Sequence, residues 1–396
     1  MESISIFDIL KIGVGPSSSH TLGPWKAALH FIDELREKNL FEDVRKVNVI
    51  LYGSLALTGK GHGTDLAVLM GLSGADPETV PLEHIKSVPD QIISSQSILI
   101  GGQSEIEFDR EVDIIFKKQE RLPYHSNGIK FIAFGEFEDL HSSTYFSVGG
   151  GFIVHESETV ESQAEANLVV PNPCMNAAEL LAHCNGRYIS DVVLENERVW
   201  RSDAQIEERL DQLWEVMKAS VYSGCHTEGK LPGGLDVSRR ASKISQKLLV
   251  KNDIDDVDKW ADRIRTHFYD FSDIIKLIGC FSMAVNEENA SFGRIVTAPT
   301  NGSAGVIPAV LFYLICFGKK ETTREEIHRF LLTAGQIGIL FKIGSTLSAA
   351  MGGCQAEIGV SSAMAAGALT EALGGTPQQV LMAAEIAMEH HLGLTC

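Results

Sequence analysis

Three stretches of this chain gather side chains that can hold an anion or move a proton. GVGPSSSHTLGP, residues 13–24, sets Ser17, Ser18, Ser19, His20 and Thr21 in a row between a Gly-Pro pair and an amphipathic run. A single serine would cap the helix that follows, which is worth about 1 kcal/mol. A ring of donors at a helix N-terminus would also suit a carboxylate or a phosphate. YGSLALTGKGHGTD, residues 52–65, places His62 between Gly61 and Gly63, where little shields it, with Thr64 and Asp65 opening a helix. It reads as a loop histidine with an Asp cap, or as a general base, since an unperturbed imidazole titrates at about pH 6.5. In NEENASFGRIVTAPTNGSAGVIPAV, residues 286–310, the kinked polar segment TAPTNGSAG precedes an apolar helix. Its buried amides need partners. Thr300, Asn301 and Gly302 could offer donors to a ligand, or could simply build a turn.

Two cysteines, Cys354 in MGGCQAEIG and Cys396 at the end of EHHLGLTC, each follow a break that contains glycine. Taken alone they are weak evidence for a ligand pair, because buried free cysteines are common. Cys174, Cys184, Cys225, Cys280 and Cys316 read as plain thiols, Cys184 and Cys316 within apolar helical runs. Paired CxxC and HExxH patterns are absent. Glu385 and Glu389 lie one turn apart with no histidine at a ligand offset, an ordinary helix face. Lys60 sits in a Gly-rich loop but has no phosphate cradle beside it, so a pyridoxal-phosphate imine is poorly supported.

The elements that must position these groups fall into two regions. Residues 1–155 mix strand patterns at 46–54, 97–100, 110–116, 130–137 and 144–154 with helices. The helices are an amphipathic one over 24–38, with Ala27, Phe31 and Leu35 on one stripe, and a second over 64–74 ending at Gly74. This predicts an α+β domain with a mixed or antiparallel sheet packed against helices. Residues 156–173, acidic and closing on two prolines, read as a linker. From Cys174 to Cys396 helical spacing dominates and an all-α domain is expected; TPQQ places Thr376 at a cap and Pro377 in the first turn.

The chain has 396 residues and a net charge of −18, with 44% apolar and 22% charged residues. Residues 301–396 hold five Lys/Arg and seven Glu, so about −16 of that charge lies in the first 300. Such acidity argues against nucleic acid or an anionic membrane as partner. The longest apolar run, VIPAVLFYLICFG, has 13 residues against the roughly 20 a bilayer needs. The N-terminus carries Glu2 and Asp8 where a signal peptide carries Lys or Arg. An odd number of scattered cysteines suits a reducing compartment, so a cytoplasmic protein is expected.

Taken together, SIFDILKIGVGPSSSHTLGP, YGSLALTGKGHGTD, SVGGGFIV, AVNEENASFGRIVTAPTNG and EHHLGLTC closely resemble, in order, the iron–sulfur-dependent bacterial L-serine dehydratases of the single-chain type. The resemblance covers essentially the whole chain. It implies an N-terminal α+β domain, an all-helical catalytic domain, and elimination of water from L-serine to give pyruvate and ammonia. It also implies a four-iron four-sulfur cluster as Lewis acid, with Cys354 and Cys396 as ligands, and a serine site lined by Ser17, Ser18, Ser19, His20, Thr21, Thr64, Thr300, Asn301 and Gly302. His62 is the expected base, Asp65 its orienting partner, and His20 the reserve. The family pattern continues to a third cluster cysteine, so a truncated chain is expected, with an inactive fragment or a serine-binding regulatory module as the alternative. A homodimer is expected, and serine and threonine, one methyl apart, are not separated.

Overall fold

Alternation sets the sheet of the first region. In Lys46–Tyr52 (β1) the side chains of Val47, Val49 and Leu51 point one way and are fully buried, and the residues between them are more open. This is the period-two pattern of a strand with one face on a core. Gly128–Phe134 (β3) repeats it with Ile129, Phe131 and Ala133 and pairs antiparallel to β1, Val49 opposite Phe131 and Leu51 opposite Ile129. Ile114–Lys117 (β2) runs parallel to β1 on its other side. Asp139–Gly149 (β4) and Phe152–His155 (β5) complete a five-stranded mixed sheet in the order β2-β1-β3-β4-β5. The helix Gly23–Glu37 (α1) buries the expected stripe of Ala27, Phe31 and Leu35 in the same core, with the Phe31 and Phe131 rings stacked 5.1 Å apart. Thr64–Leu72 (α2) is buried along almost its whole length.

This computed structural model describes residues 3–158, 169–249, 254–319, 321–346 and 352–393. It corrects two strand expectations. Residues 110–116 are not one strand: Asp109 accepts from the Glu111 amide and starts a helical turn, Arg110–Asp113, so extended chain begins only at Ile114. Residues 144–154 are the end of β4, a turn, and β5. Gly149, Gly150 and Gly151 have φ of 98°, 58° and 69°, which glycine alone adopts without steric cost.

The chain forms two compact units, Gly13–Glu165 and Met1–Ile12 with Ala166–Cys396. The first twelve residues therefore leave the α+β region to which the sequence assigned them, and the expected linker lies partly outside the described residues. The reason is apolar content: Ile6, Phe7, Ile9, Leu10 and Ile12 are buried in the core of the helical unit. Ser5 donates to Glu197 Oε2 at 2.7 Å, the Ile6 amide donates to Glu197 Oε1 at 2.8 Å, and Arg201 completes the pair at 3.2 Å. Glu197 is itself buried, and burial pushes its carboxyl above the usual range, which these contacts oppose.

The helical unit contains Asp203–His226 (α3), Phe271–Ala290 (α4), Val306–Tyr313 (α5), Arg324–Gly344 (α6), Ile358–Ala372 (α7) and Pro377–Glu389 (α8). Thr376 caps α8 in a reciprocal box with Gln379, and Pro377 opens it. All-α needs one amendment, the three-residue strand Arg294–Val296. Among the described residues no helix is long and apolar enough to cross a membrane. Helix α6 is notched where the N-terminal segment crosses it. A Cβ at Gly335 would lie 2.5 Å from Ile6 Cβ, and one at Gly338 would lie 2.6 Å from Ile9 Cγ2. Gly335→Ala should therefore lower the unfolding free energy by about 1–3 kcal/mol in chemical denaturation, the cost of overpacking. Gly279→Ala in α4, where a Cβ meets nothing within 4 Å, should raise it by up to ~1 kcal/mol.

Candidate active site

In the N-terminal unit two loops are tied by two threonine hydroxyls. Ser17 accepts the His20 amide at 3.2 Å and so caps the wide helical turn Ser18–Leu22. Its own amide donates to Thr21 Oγ1 at 3.2 Å. Thr21 Oγ1 in turn donates to the carbonyl of His62 at 2.8 Å, and Thr64 Oγ1 donates to the carbonyl of His20 at 2.5 Å. Both threonines are 0% exposed. They do not present hydroxyls to a ligand, as the sequence suggested; each holds the backbone of the histidine on the opposite loop. The clamp brings the His20 and His62 rings to 4.9 Å, tilted by 38°. Gly63 takes a left-handed φ of 63° between His62 and α2, a turn that disfavours any other residue.

The two imidazoles are set for different roles. His62 Nδ1 lies 2.9 Å from the Thr58 carbonyl. A carbonyl only accepts, so Nδ1 carries the proton and Nε2 keeps its lone pair. His20 is bracketed by hydroxyls, Nδ1 at 2.9 Å from Ser19 Oγ and Nε2 at 3.0 Å from Ser54 Oγ. Burial lowers its pKa to about 4, helped by the neighbouring His62 and opposed by the contact with Ser54. His20 is therefore a neutral ring at pH 7. Asp65 does not orient His62. One of its oxygens accepts the Leu66 amide at 3.0 Å and the other pairs with Arg110 at 2.5 Å, so it belongs to the start of α2. The orienting group is the Thr58 carbonyl. Ser18 is buried inside its turn.

In the helical unit the loop before α5 is largely self-satisfied. Ser303 Oγ donates to the Ala298 carbonyl at 2.7 Å, which leaves Thr300 Oγ1, 3.1 Å away, to donate to Ser303. Asn301 Nδ2 donates to Asn289 Oδ1 at 2.9 Å. Thr300 and Asn301 are buried, at 1% and 0% exposure. Gly302 alone of these three is exposed. The loop is thus a turn whose open point is Gly302. Cys354 starts a short turn, Cys354–Ala356, and is exposed. Cys396 lies outside the described residues. Among those residues, no group of three or more His, Cys, Asp or Glu is arranged to hold a metal ion. Lys60 is a solvent-facing ammonium 3.5 Å from Glu111.

Four participants escaped the sequence reading: Ser54, Thr58, Arg110 and Asn289. The first two had a signal. Ser54, Thr58 and His62 recur every four residues, which on a helical stretch puts them on one face. Arg110 and Asn289 reach their partners across 45 and 12 residues, and no spacing rule reports that.

Comparison with known proteins covers both units. Residues 5–158 match the family model of the serine dehydratase beta chain, and residues 185–396 match that of the serine dehydratase alpha chain. The chain is 44% identical to L-serine dehydratase 1 of Escherichia coli strain K12 over 397 residues, 99% of this chain and 84% of that protein. It is 46% identical to an L-serine dehydratase of Streptomyces coelicolor over 400 residues and 39% identical to one of Helicobacter pylori over 401, in both cases across all of this chain and 84% of the relative. No finding supports the expectation of an inactive form.

The state of His20 has a measurable pH signature. Its folded pKa, about 4, lies below that of the unfolded chain, about 6.5, so between those values the unfolded state binds the extra proton. Stability is then intact above pH 6.5 and falls as pH drops toward 4. His20→Gln should flatten that slope in urea titrations, and the His20 ring resonances should not titrate between pH 5 and 8.

Proposed function

The chain belongs to the single-chain bacterial serine dehydratase family, and from that premise we propose how it removes water from L-serine. His62 Nε2 takes the α-proton. The observation that carries this reading is the bond from His62 Nδ1 to the Thr58 carbonyl, which leaves Nε2 as the basic atom. The same bond steadies the imidazolium formed when the proton arrives, since Nδ1–H still has its acceptor. His20, held neutral beside it, adds no like charge 4.9 Å away. The Gly302 turn takes the substrate carboxylate, a use for the exposed point of an otherwise closed loop. Loss of the β-hydroxyl then gives aminoacrylate, which tautomerises and hydrolyses to pyruvate and ammonia.

A four-iron four-sulfur cluster belongs to this reading, and the observation in its support is the exposure of one thiol. Cys354 is exposed. By contrast, burial raises the thiols of Cys174 and Cys184 to about 11 and that of Cys316 to about 12, and the contact with Cys280, with burial, pushes Cys225 up, so these thiols ionise less readily in the metal-free protein. Cys354 and Cys396 would hold the cluster, which when bound supplies Lewis acidity toward the departing hydroxyl.

His62→Ala, in protein purified and loaded without oxygen, should lower kcat by about 10²–10⁴-fold, the range of a lost general base, with the brown visible absorption unchanged. Near-normal turnover would reassign the base. Cys354→Ser should lose iron by elemental analysis, whereas Cys316→Ser should keep it.

A further inference from the structure

An L-serine site must answer three groups: the hydroxyl, the carboxylate and the α-ammonium. None of the residues discussed so far neutralises the ammonium. A cation of that kind taken out of water needs a negative partner or several good acceptors. Because the ammonium and the carboxylate are bonded to the same carbon, its partner must lie within a few ångströms of the carboxylate cradle.

Glu357 meets that condition within the helical unit. A Cβ built at Gly302 would lie 3.2 and 3.3 Å from the two Glu357 carboxylate oxygens and 3.5 Å from Cδ, so the carboxylate lies broadside to the exposed glycine. Glu357 is tied at the other side to Cys354, whose carbonyl accepts its amide at 3.1 Å. Its side chain is half-buried, and among the described residues no hydrogen bond or ion pair engages its oxygens. The more deeply buried carboxylates of this unit are all spent: Glu197 on Ser5 and Ile6, Glu287 on the Arg240 amide, Glu288 on Arg239, and Glu371 on Ile189 and Thr333. A half-buried carboxylate with no partner of its own beside a glycine turn is placed to accept from a cationic donor.

We infer that Glu357 binds the α-ammonium of the substrate amino acid. It is a substrate-binding residue, and it selects amino acids over hydroxy acids of the same length. Gly302 serves it by omission, since any side chain there would press on the carboxylate. The inference rests on the reading that the Gly302 turn takes the substrate carboxylate.

The test uses the full chain, loaded with iron and sulfide without oxygen, and compares L-serine with 3-hydroxypropionate, the same acid without the amino group. Glu357→Gln should raise the KM for L-serine about 10- to 100-fold, the scale of one charge-assisted hydrogen bond, with a smaller change in kcat. Inhibition by 3-hydroxypropionate should stay within about twofold or tighten, an outcome that loss of packing alone would not give. Glu357→Asp, which keeps the charge on a shorter stem, should retain most of the preference for serine. The inference is overturned if both variants bind serine as the parent does, or if serine and 3-hydroxypropionate weaken together in both. A parent protein that releases no keto acid from L-serine would instead sink the dehydratase reading itself.

Discussion

Two hydroxyls 43 residues apart in the chain hold the two histidine loops of the N-terminal unit together. Thr21 and Thr64 each donate to the carbonyl of the histidine on the other's loop, so neither loop can shift without breaking a part-buried hydrogen bond. Such a bond contributes only about 1 kcal/mol net, but a carbonyl left unpaired where water cannot replace the donor costs about 1–3 kcal/mol. The arrangement is therefore stiff out of proportion to its net energy. The ring spacing follows from it, while burial lowers the basicity of His20 and the Thr58 carbonyl sets the tautomer of His62. A base that must meet a carbon-bound hydrogen within a few tenths of an ångström needs this sort of over-determined backbone.

Much of the fold could be read from the chain because it rests on local periodicity. The β1 alternation, the Ala27–Phe31–Leu35 stripe and the Thr376 cap all behave as their spacing says. Where the reading failed, distant packing overrode local pattern. The opening dozen residues look like the start of the first region, but their isoleucines fit glycine notches in α6 more than 300 residues away. The residues 110–116 look β-branched enough for a strand, but an Asp109 cap turns the first four into a helix.

The candidate site was legible in its residue types and less so in their division of labour. The motif around His20 and His62 was visible as chemistry, yet sequence cannot say which hydroxyls face a ligand and which hold the scaffold. Thr21, Thr64 and Thr300 are scaffold, and burial decided it. Asp65 looked like the natural partner of a histidine three positions earlier. Arg110 claims it instead, and a backbone carbonyl takes its place. Backbone acceptors carry no side-chain signature, so a partner such as the Thr58 carbonyl is invisible until the loop is built.

The twelve residues that precede Gly13 belong to a unit whose remaining chain does not begin until Ala166. In topological terms the α+β unit is an insertion within the helical one. A ribosome delivers this strip before the roughly 150 residues of the α+β unit, and only afterwards the helix with the notches that receive it. During that interval Ile6, Phe7, Ile9 and Leu10 have no groove to occupy, which is the kind of exposed apolar surface chaperones take hold of. Dividing the gene at the boundary between the units would produce a helical half with an open furrow along α6, and the missing plug would have to be supplied as a separate peptide.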